Sequence, residues 1–486
     1  MKYFIVQFPL KTEKYQEDIL DRRFEIGRQI YNSLVNITQK RYKEMIKTKK
    51  YRCLISKLSG DKKKDKPIWE QINDIRKQYG MSEYSFYNDV KKLQHHFSKN
   101  IDALTARSIA SNLWRAYEKL FYGNGEYVHY KKRGFPNSLE GSSNKQGIHF
   151  KGDTILWNGL KIPVVINYNN YYEYQALQSE IAYCGIIRKF VRKKYKYYVQ
   201  ITFKGTPPLK IDNETGEVKH SIGDGDVGID IGTSTIAYSS ATDVKILELA
   251  DKVQNIENQK RRLLRKMDRS QRATNSDNYN EDGTIKKQRN RKIVWNKSNH
   301  YLKYQDELKE LYRKQTDVRK YQHECLANEI ISLGDNIYVE TMHFSGLAKR
   351  STKTEKNKQG RCKRKKRFGK TIANKAPAMF LNILDRKLSY YGKSLIKIDT
   401  VSAKASQFNH FDCTYHKKKL SQRWNNFNGV KVQRDMYSAF LIMNVAEDLK
   451  SFDISKCNER FNNFYRLHNL EVERLTGHKN LSSIAI

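Results

Sequence analysis

Proline, cysteine and long apolar runs are all scarce in this sequence, and each scarcity excludes a class of protein. Only seven of the 486 residues are proline, so proline-rich linkers are not expected. The six cysteines form no CxxC pair, which argues against a disulfide framework and favours a reducing compartment. No run of about 18 apolar residues occurs, so no transmembrane helix is expected. The start, Met1 to Leu10, is interrupted by Gln7 and Pro9 and predicts a strand rather than a signal peptide.

Acidic residues are scarce beside basic ones, and this imbalance indicates a polyanionic partner. The chain has 52 Asp and Glu against 92 Lys and Arg, a formal net charge of +40. Self-repulsion of this size destabilises a compact chain unless a polyanion binds it. Nucleic acid is the first candidate. An anionic membrane surface is the alternative, but the basic runs do not lie along a helix with a matching apolar face. The 32 tyrosines suit base stacking, although an AT-rich genome also favours tyrosine and lysine codons.

Changes in periodicity along the chain predict a multidomain protein with helical, β-barrel and α/β parts. Apolar residues recur at helical spacing between 13 and 124, which predicts a helical domain. Short apolar runs separated by turn residues fill 125–223, and together with 1–12 they predict a small β-barrel. From 224 to 486, strands alternate with helices, which is typical of an α/β domain.

Three carboxylates stand at the ends of apolar elements in the α/β part. Asp230 lies in the aliphatic run 227–231, Glu340 ends the run 337–340, and Asp435 precedes an apolar helix. A buried carboxylate costs several kcal/mol unless something pairs with it. If the two strands pair and the helix packs over their ends, the three acids converge. Each acid taken alone is more often a helix cap or an ion-pair partner than a catalytic group.

Converging carboxylates are suited to hard divalent cations. Mg²⁺ and Mn²⁺ prefer oxygen ligands. Two such ions about 4 Å apart can activate a water and stabilise the leaving oxygen of a phosphodiester. The three acids in so basic a chain therefore predict an enzyme, a metal-dependent phosphodiester hydrolase that uses two ions.

The motifs around these acids resemble those of the split RuvC nuclease domain. They are the D-x-G-x-x-x-x-A run from Asp230 to Ala237, the strand ending at Glu340, and Arg434-Asp435 before Ser438-Ala439. The arrangement is similar to TnpB, the transposon-encoded RNA-guided nuclease, and to the miniature type V CRISPR effectors.

The resemblance implies a fold and a function for the whole chain. It implies an RNase H-like nuclease domain over 224–486, an oligonucleotide-binding-like wedge barrel over 1–12 and 125–223, and a helical recognition insertion over 13–124. It implies a guide RNA, a short flanking DNA motif and cleavage of target double-stranded DNA. Asp230, Glu340 and Asp435 would then be the catalytic metal ligands. A prokaryotic, cytoplasmic, nucleoid-associated protein fits this reading.

The sequence departs from that family in the insertion 402–432, where relatives commonly carry two CxxC pairs that form a zinc ribbon. Here the segment offers only His410, Cys413 and His416. The spacing favours a metal-free insertion, with a three-ligand zinc site as the disfavoured alternative. The aromatic residues expected to hold the insertion together are Phe408, Phe411, Trp424 and Phe427.

Two basic segments are candidates for contacts with nucleic acid. Between 349 and 370, 12 of 22 residues are Lys or Arg, and this loop is predicted to meet phosphates near the acids, unless it is merely solvated. Cations and tyrosines alternate between 188 and 204, which suits phosphate contacts and base stacking, unless the tyrosines face a barrel core. The residues singled out are Arg188, Arg192, Lys193, Lys194 and Tyr195 in the strand and Lys363, Arg364, Lys365, Lys366 and Arg367 in the loop.

Two alternatives to an RNA-guided DNA endonuclease remain open at the level of the sequence. One is an RNA-guided DNA-binding regulator that does not cut. The other is a structural RNA-binding protein, which would need no acid triad.

Overall fold

The computed structural model divides into two compact units, residues 1–216 and 217–486. It describes residues 2–61, 63–123, 125–192, 194–212, 214–286, 293–350, 352, 354–355, 357, 359–360, 362, 368–419, 422–427 and 429–477. Among the described helices, none combines the length and the apolarity that crossing a membrane requires.

The N-terminal unit combines helices with antiparallel sheets. Its helices are α1 (Lys14–Lys47), α2 (Lys49–Ser56), α3 (Lys66–Gln78), α4 (Glu83–His96), α5 (Ala103–Phe121) and α6 (Tyr171–Leu177). Its strands are β1 (Tyr3–Pro9), β2 (Ser138–Glu140), β3 (His149–Lys151), β4 (Thr154–Trp157), β5 (Leu160–Pro163), β6 (Ile181–Val191) and β7 (Lys194–Lys204).

The strands of this unit form open sheets in place of the predicted closed barrel. One sheet has the order β1-β7-β6-β2 and the other β3-β4-β5. Within the described residues β1 and β2 lie at opposite edges of the larger sheet and do not pair, so the barrel expected for 1–12 and 125–223 does not close. The sheet is amphipathic, because Phe4, Val6 and Phe8 are buried while their neighbours in β1 are exposed.

Helix α1 begins at a capping box and packs through one apolar stripe. The Glu13 amide donates to the Gln16 side chain at 2.8 Å, while the Glu13 carboxylate accepts from the backbone of Gln16. Leu20, Phe24 and Leu34 are fully buried on one face of the helix. They belong to a longer series of buried residues spaced three or four apart, which gives the helix a single apolar side.

The C-terminal unit is built around one mixed sheet. Its strands are β8 (Asp226–Ile231), β9 (Thr235–Ser239), β10 (Val244–Glu248), β11 (Asn336–Glu340), β12 (Ile396–Ile398), β13 (Phe408–Asn409), β14 (Thr414–Tyr415), β15 (Trp424–Phe427) and β16 (Val430–Gln433). Its α-helices are α7 (Val253–Thr274), α8 (Asn299–Leu333), α9 (Phe344–Ala348), α10 (Gly369–Lys375), α11 (Pro377–Tyr390), α12 (Thr400–Ala403), α13 (Arg434–Met443) and α14 (Ile454–Thr476).

The central sheet of this unit has the order β10-β9-β8-β11-β12. Strands β8, β9 and β10 are antiparallel neighbours, whereas β11 runs parallel to both β8 and β12. Apolar clusters lie on both faces of the sheet: one involves α13 and α14, the other α8 and α11. The unit is therefore a three-layer structure in which β8 is buried on both sides.

Gly228 allows α13 to lie directly on the backbone of β8. A Cβ added to Gly228 would stand 2.1 Å from the carbonyl oxygen of Ala439 and 2.3 Å from the amide nitrogen of Met443. No side chain fits in that space. The close approach brings the start of α13 to the carboxyl end of the sheet.

Candidate active site

The three predicted acids come from two strands and one helix that meet at one edge of the sheet. Asp230 is the penultimate residue of β8, and Glu340 ends β11. These strands are parallel, with Ile229 opposite Val339, so the two carboxylates leave the sheet side by side. Asp435 lies in the first turn of α13, the helix that packs on β8. All three side chains are partly buried.

The charges of Glu340 and Asp435 act on Asp230. Burial raises the pKa of Asp230 well above its usual value, and the nearby charges of Asp435 and Glu340 raise it further. Burial also raises the pKa of Glu340, an effect opposed by the amide of Ala405. Like charges held together in this way favour a proton or a cation between them. The structure thus brings the three carboxylates together.

Two arginines already neutralise part of this charge. The guanidinium of Arg434 lies 2.9 Å and 3.0 Å from Oδ1 of Asp435 through Nη2 and Nε, and Arg423 Nη1 lies 3.5 Å from Oδ2. Arg434 also donates to the carbonyl of Gln422 at 3.1 Å, which fixes its position. Its positive charge lowers the pKa of Asp230 and so opposes the effect of the other two acids.

The carboxylate oxygens of the cluster are suitable ligands for a divalent cation, but their positions are not those of a complete metal site. Carboxylate oxygens are the ligands that Mg²⁺ and Mn²⁺ prefer. Yet within the part of the chain that the structure describes, no group of three or more His, Cys, Asp or Glu side chains is placed to hold a metal ion. Arginine contacts take up both oxygens of Asp435 in this arrangement.

Ser438 and Arg423 complete the surroundings of the acids, although neither was predicted as a site residue. The Ser438 hydroxyl lies within hydrogen-bonding reach of Asp230 and lowers its pKa. Its spacing of three residues from Asp435 puts both on one side of α13, a signal that the sequence contained. Arg423 precedes the hairpin β15–β16, and only the tertiary fold brings it to Asp435.

The basic residues predicted as nucleic-acid contacts in the strand segment lie in different environments. Arg188 is buried: it donates to Asp21 at 2.6 Å and lies over the rings of Phe24 and Tyr195. Its charge therefore belongs to the interior of the N-terminal unit. Arg192 and Lys194 are exposed near the β6–β7 turn, and Tyr195 is half-buried.

Several predicted contacts lie outside the described residues. They are Lys193 in the strand segment and Lys363, Arg364, Lys365, Lys366 and Arg367 in the loop.

The three zinc candidates have different environments. His410 is buried among aromatic rings, its Nδ1 lies 2.6 Å from the Tyr437 hydroxyl, and burial lowers its pKa to about 4. Cys413 and His416 are exposed, and Nε2 of His416 lies 2.7 Å from the Thr414 hydroxyl.

Aromatic packing contributes to the insertion 402–432. The ring centroids of Phe411 and Phe427 are 5.5 Å apart, and that of Phe408 is 4.9 Å from that of Phe452. Trp424 meets His468 edge-on at 6.1 Å.

Comparisons with known proteins add little to this geometry. No protein-family model and no curated protein matches the chain. Among solved structures, the chain is similar to one described as the cryo-EM structure of a CRISPR-Cas12f ternary complex. The two are 13% identical, with 91% of this chain and 99% of that chain covered, at a TM-score of 0.23. The functional interpretation therefore rests on the geometry of the site itself.

Proposed function

We propose that the chain is a metal-dependent, RNA-guided DNA endonuclease with Asp230, Glu340 and Asp435 at its active site. One observation carries the proposal: three carboxylates meet at the end of a buried central strand and raise the pKa of Asp230 through burial and mutual repulsion. Such a cluster destabilises the fold, and acids with strongly shifted pKa values concentrate at functional sites.

The sheet that carries the acids supports a RuvC-like, RNase H-like assignment. The central strand β8 has antiparallel neighbours on one side and the parallel strand β11 on the other. Acids at the ends of two adjacent parallel strands, with a third from a helix packed over them, match the arrangement that the sequence resemblance implies.

Asp230, Glu340 and Asp435 would hold the divalent cations, and each has a distinct setting. Two bound cations would stabilise charge on the attacking and leaving oxygens of a phosphodiester. Asp230 is held by the rigid strand β8 and by Ser438. Arg434 orients Asp435 and supplies positive charge where a phosphate would approach.

A nucleic-acid substrate and an RNA partner are parts of the same proposal. The net charge of +40 supports a polyanionic partner of considerable size. Guidance by RNA and recognition of a short DNA motif follow from the sequence resemblance. Base pairing would then supply most of the sequence choice, while cationic side chains would hold the backbone.

A second candidate is a guide-dependent DNA-binding protein that does not cut. The ion pairs of Arg434 and Arg423 with Asp435 favour it, because a permanently neutralised carboxylate would not bind a cation. In that case the acid cluster would serve only to hold the sheet edge and α13 together.

A cleavage assay with the protein and its co-purified RNA separates the two candidates. With Mg²⁺ and target DNA, the wild-type chain should cut, and Asp230→Ala should not. Asp226→Asn provides the matched control, because Asp226 lies at the opposite end of the same strand and pairs with Arg460. Cutting by Asp230→Ala would refute the site, whereas RNA-dependent DNA binding without cutting by the wild-type chain would favour the second candidate.

A further inference from the structure

Residues 126–137 form an exposed aromatic and basic segment, here called the strap. The strap follows α5 and contains no helix or strand before β2 begins at Ser138. Val128 is its buried anchor. Three large aromatic side chains face solvent instead: Tyr127 is 63% exposed, Tyr130 49% and Phe135 52%. Exposed aromatic residues concentrated in one short segment mark a binding surface more often than a random surface does.

The strap is held firmly against α1. Asn32 makes two hydrogen bonds to the backbone of Lys131: its amide donates to the carbonyl at 3.0 Å, and its carbonyl accepts from the N–H at 2.8 Å. Gln39 donates to the carbonyl of Val128 at 2.9 Å. A surface fixed in this way loses little conformational entropy when it binds a partner.

Positive charge lies between the exposed rings. Lys131, Lys132 and Arg133 are consecutive and exposed, and they separate Tyr130 from Phe135. The Lys131 ammonium lies 5.0 Å from the ring centre of Tyr31 on α1, so its stem helps to anchor the strap. The only acid among residues 126–137 is Glu126.

The strap runs beside the basic end of β7. A Cβ placed on Gly134 would lie 4.0 Å from the hydroxyl of Tyr195. The adjacent Lys194 is exposed. The cationic surface therefore continues from the strap to the start of this strand.

We propose that the strap binds an unpaired segment of RNA. Flat aromatic faces stack on unpaired bases, and intervening cations contact phosphates. An unpaired strand suits this surface better than a duplex, whose bases are already stacked. The Tyr127 hydroxyl and the exposed His129, whose ring centre lies 4.2 Å from that of Tyr127, can bond a ribose 2′-hydroxyl. The identification of this RNA with a guide rests on the proposed function.

Binding of a labelled RNA by the full chain tests the proposal. The probe is a short fluorescein-labelled oligouridylate, and the protein is the full chain freed of co-purified RNA. Salt is raised until charge-driven binding elsewhere on the basic surface is suppressed. The double variant Tyr127→Ala/Phe135→Ala should then bind at least tenfold more weakly than wild type. Both side chains are exposed, so the fold should be preserved.

Matched variants separate loss of the rings from other effects. Phe135→Tyr alone keeps both rings and the Tyr127 hydroxyl and should retain binding. Tyr84→Ala removes an aromatic side chain that is 74% exposed on α4 and should bind as wild type. Light-induced cross-linking of bromouridine-substituted RNA should label peptides that contain residues 126–137.

Three results would overturn the proposal. They are wild-type affinity in the double alanine variant, cross-links confined to other peptides, and equal binding of the matching single-stranded DNA. Each measurement uses no Mg²⁺ and no target DNA, so its outcome does not depend on cleavage. Failure here together with Asp230-dependent cleavage would remove only the strap proposal. Ring-dependent RNA binding without any cleavage would remove only the nuclease proposal.

Discussion

Arg434 forms an ion pair with its immediate neighbour Asp435, through two guanidinium nitrogens 2.9 Å and 3.0 Å from Oδ1. Adjacent residues in a helix rarely face each other. Here they do, because Arg434 is the first residue of α13 and its side chain also bonds the carbonyl of Gln422. The acid cluster consequently carries its own counter-charge.

Removing that counter-charge should strengthen cation binding. We expect Arg434→Gln to raise the affinity of the RNA-free chain for Mn²⁺ by about fivefold, which corresponds to about 1 kcal/mol of removed charge repulsion. Isothermal titration calorimetry measures this directly. Arg423→Gln should have a smaller effect, because Arg423 is 3.5 Å from Asp435. An unchanged affinity in Arg434→Gln would contradict the idea that arginine and metal compete.

Acid should destabilise the protein through His410. Burial lowers its pKa to about 4 in the folded state, whereas an unfolded histidine titrates near 6.5. The stabilisation from this neutral histidine is complete above about pH 6.5 and is lost as pH falls. The reason is that His410 then binds a proton in the unfolded chain but not in the folded chain. The loss by pH 5 is about 2 kcal/mol.

The contribution of His410 can be isolated by urea unfolding at pH 7.5 and pH 5. His410→Leu should lose about 2 kcal/mol less than wild type between the two pH values. His416→Gln is the control, since His416 is exposed and its replacement should leave the wild-type pH dependence in place. Identical pH dependence in wild type and His410→Leu would show that another group controls acid unfolding.

Arg188 should matter for stability rather than for RNA affinity. It is buried and bonds Asp21, which also accepts from the Tyr197 hydroxyl at 2.8 Å. Burial and this hydrogen bond raise the pKa of Tyr197. Breaking a fully buried pair costs about 3–5 kcal/mol. Because Asp21 is half-exposed, we expect Asp21→Asn or Arg188→Leu to cost about 1–3 kcal/mol.

Thermal unfolding and RNA binding together check this assignment. Both variants should unfold at lower temperature yet bind RNA with wild-type affinity well below that temperature. Lys194→Gln should show the opposite behaviour, since Lys194 is exposed on the neighbouring strand. A large loss of RNA affinity in folded Arg188→Leu would instead show that Arg188 contributes to RNA binding.

Gly228 should tolerate no side chain. A Cβ there would lie 2.1 Å and 2.3 Å from backbone atoms of α13, so Gly228→Ala must push the helix away from β8. We expect a loss of about 3 kcal/mol or more in unfolding free energy. Gly232→Ala is a mild control, because its nearest neighbour would be the Thr235 hydroxyl at 3.4 Å. Equal stabilities of the two variants by urea unfolding would argue against the close packing of α13.

The sequence predicted the buried strands well because their residues leave few alternatives. The aliphatic run 227–231 corresponds to β8, and the run 337–340 lies within β11. Each is β-branched, short and flanked by turn residues, which suits a strand buried on both faces. Asp230 and Glu340 could be selected for the same reason, since a carboxylate inside such a run needs a partner.

Other elements escaped prediction because their apolar pattern is interrupted. Helix α14 buries Cys457, Phe461 and Phe464 on one face, but the next buried positions are His468 and Glu471. These two polar residues interrupt the apolar periodicity of the helix. Only the fold shows that the Glu471 carboxylate accepts a hydrogen bond from the backbone amide of Ile246.

The burial of Arg188 could be predicted in part from the sequence. Positions 184, 186 and 188 lie on one face of a strand, and Cys184 and Ile186 are apolar. That spacing places Arg188 on the same face as two apolar residues, although Ile187 on the other face is buried as well. The strap offered no such signal, because an extended segment without regular structure has no period to detect.

The parallel pairing of β8 with β11 also determines when the acid cluster can form. Parallel neighbours need a long crossover, and here α7, α8 and their connection lie between the two strands. Asp435 is translated later still, beyond β12 and the hairpin β15–β16. A nascent chain on the ribosome therefore carries the complete N-terminal unit long before it has a complete acid cluster. On the proposed nuclease function, nucleic acid captured by that unit during translation would meet a protein that cannot yet cut it.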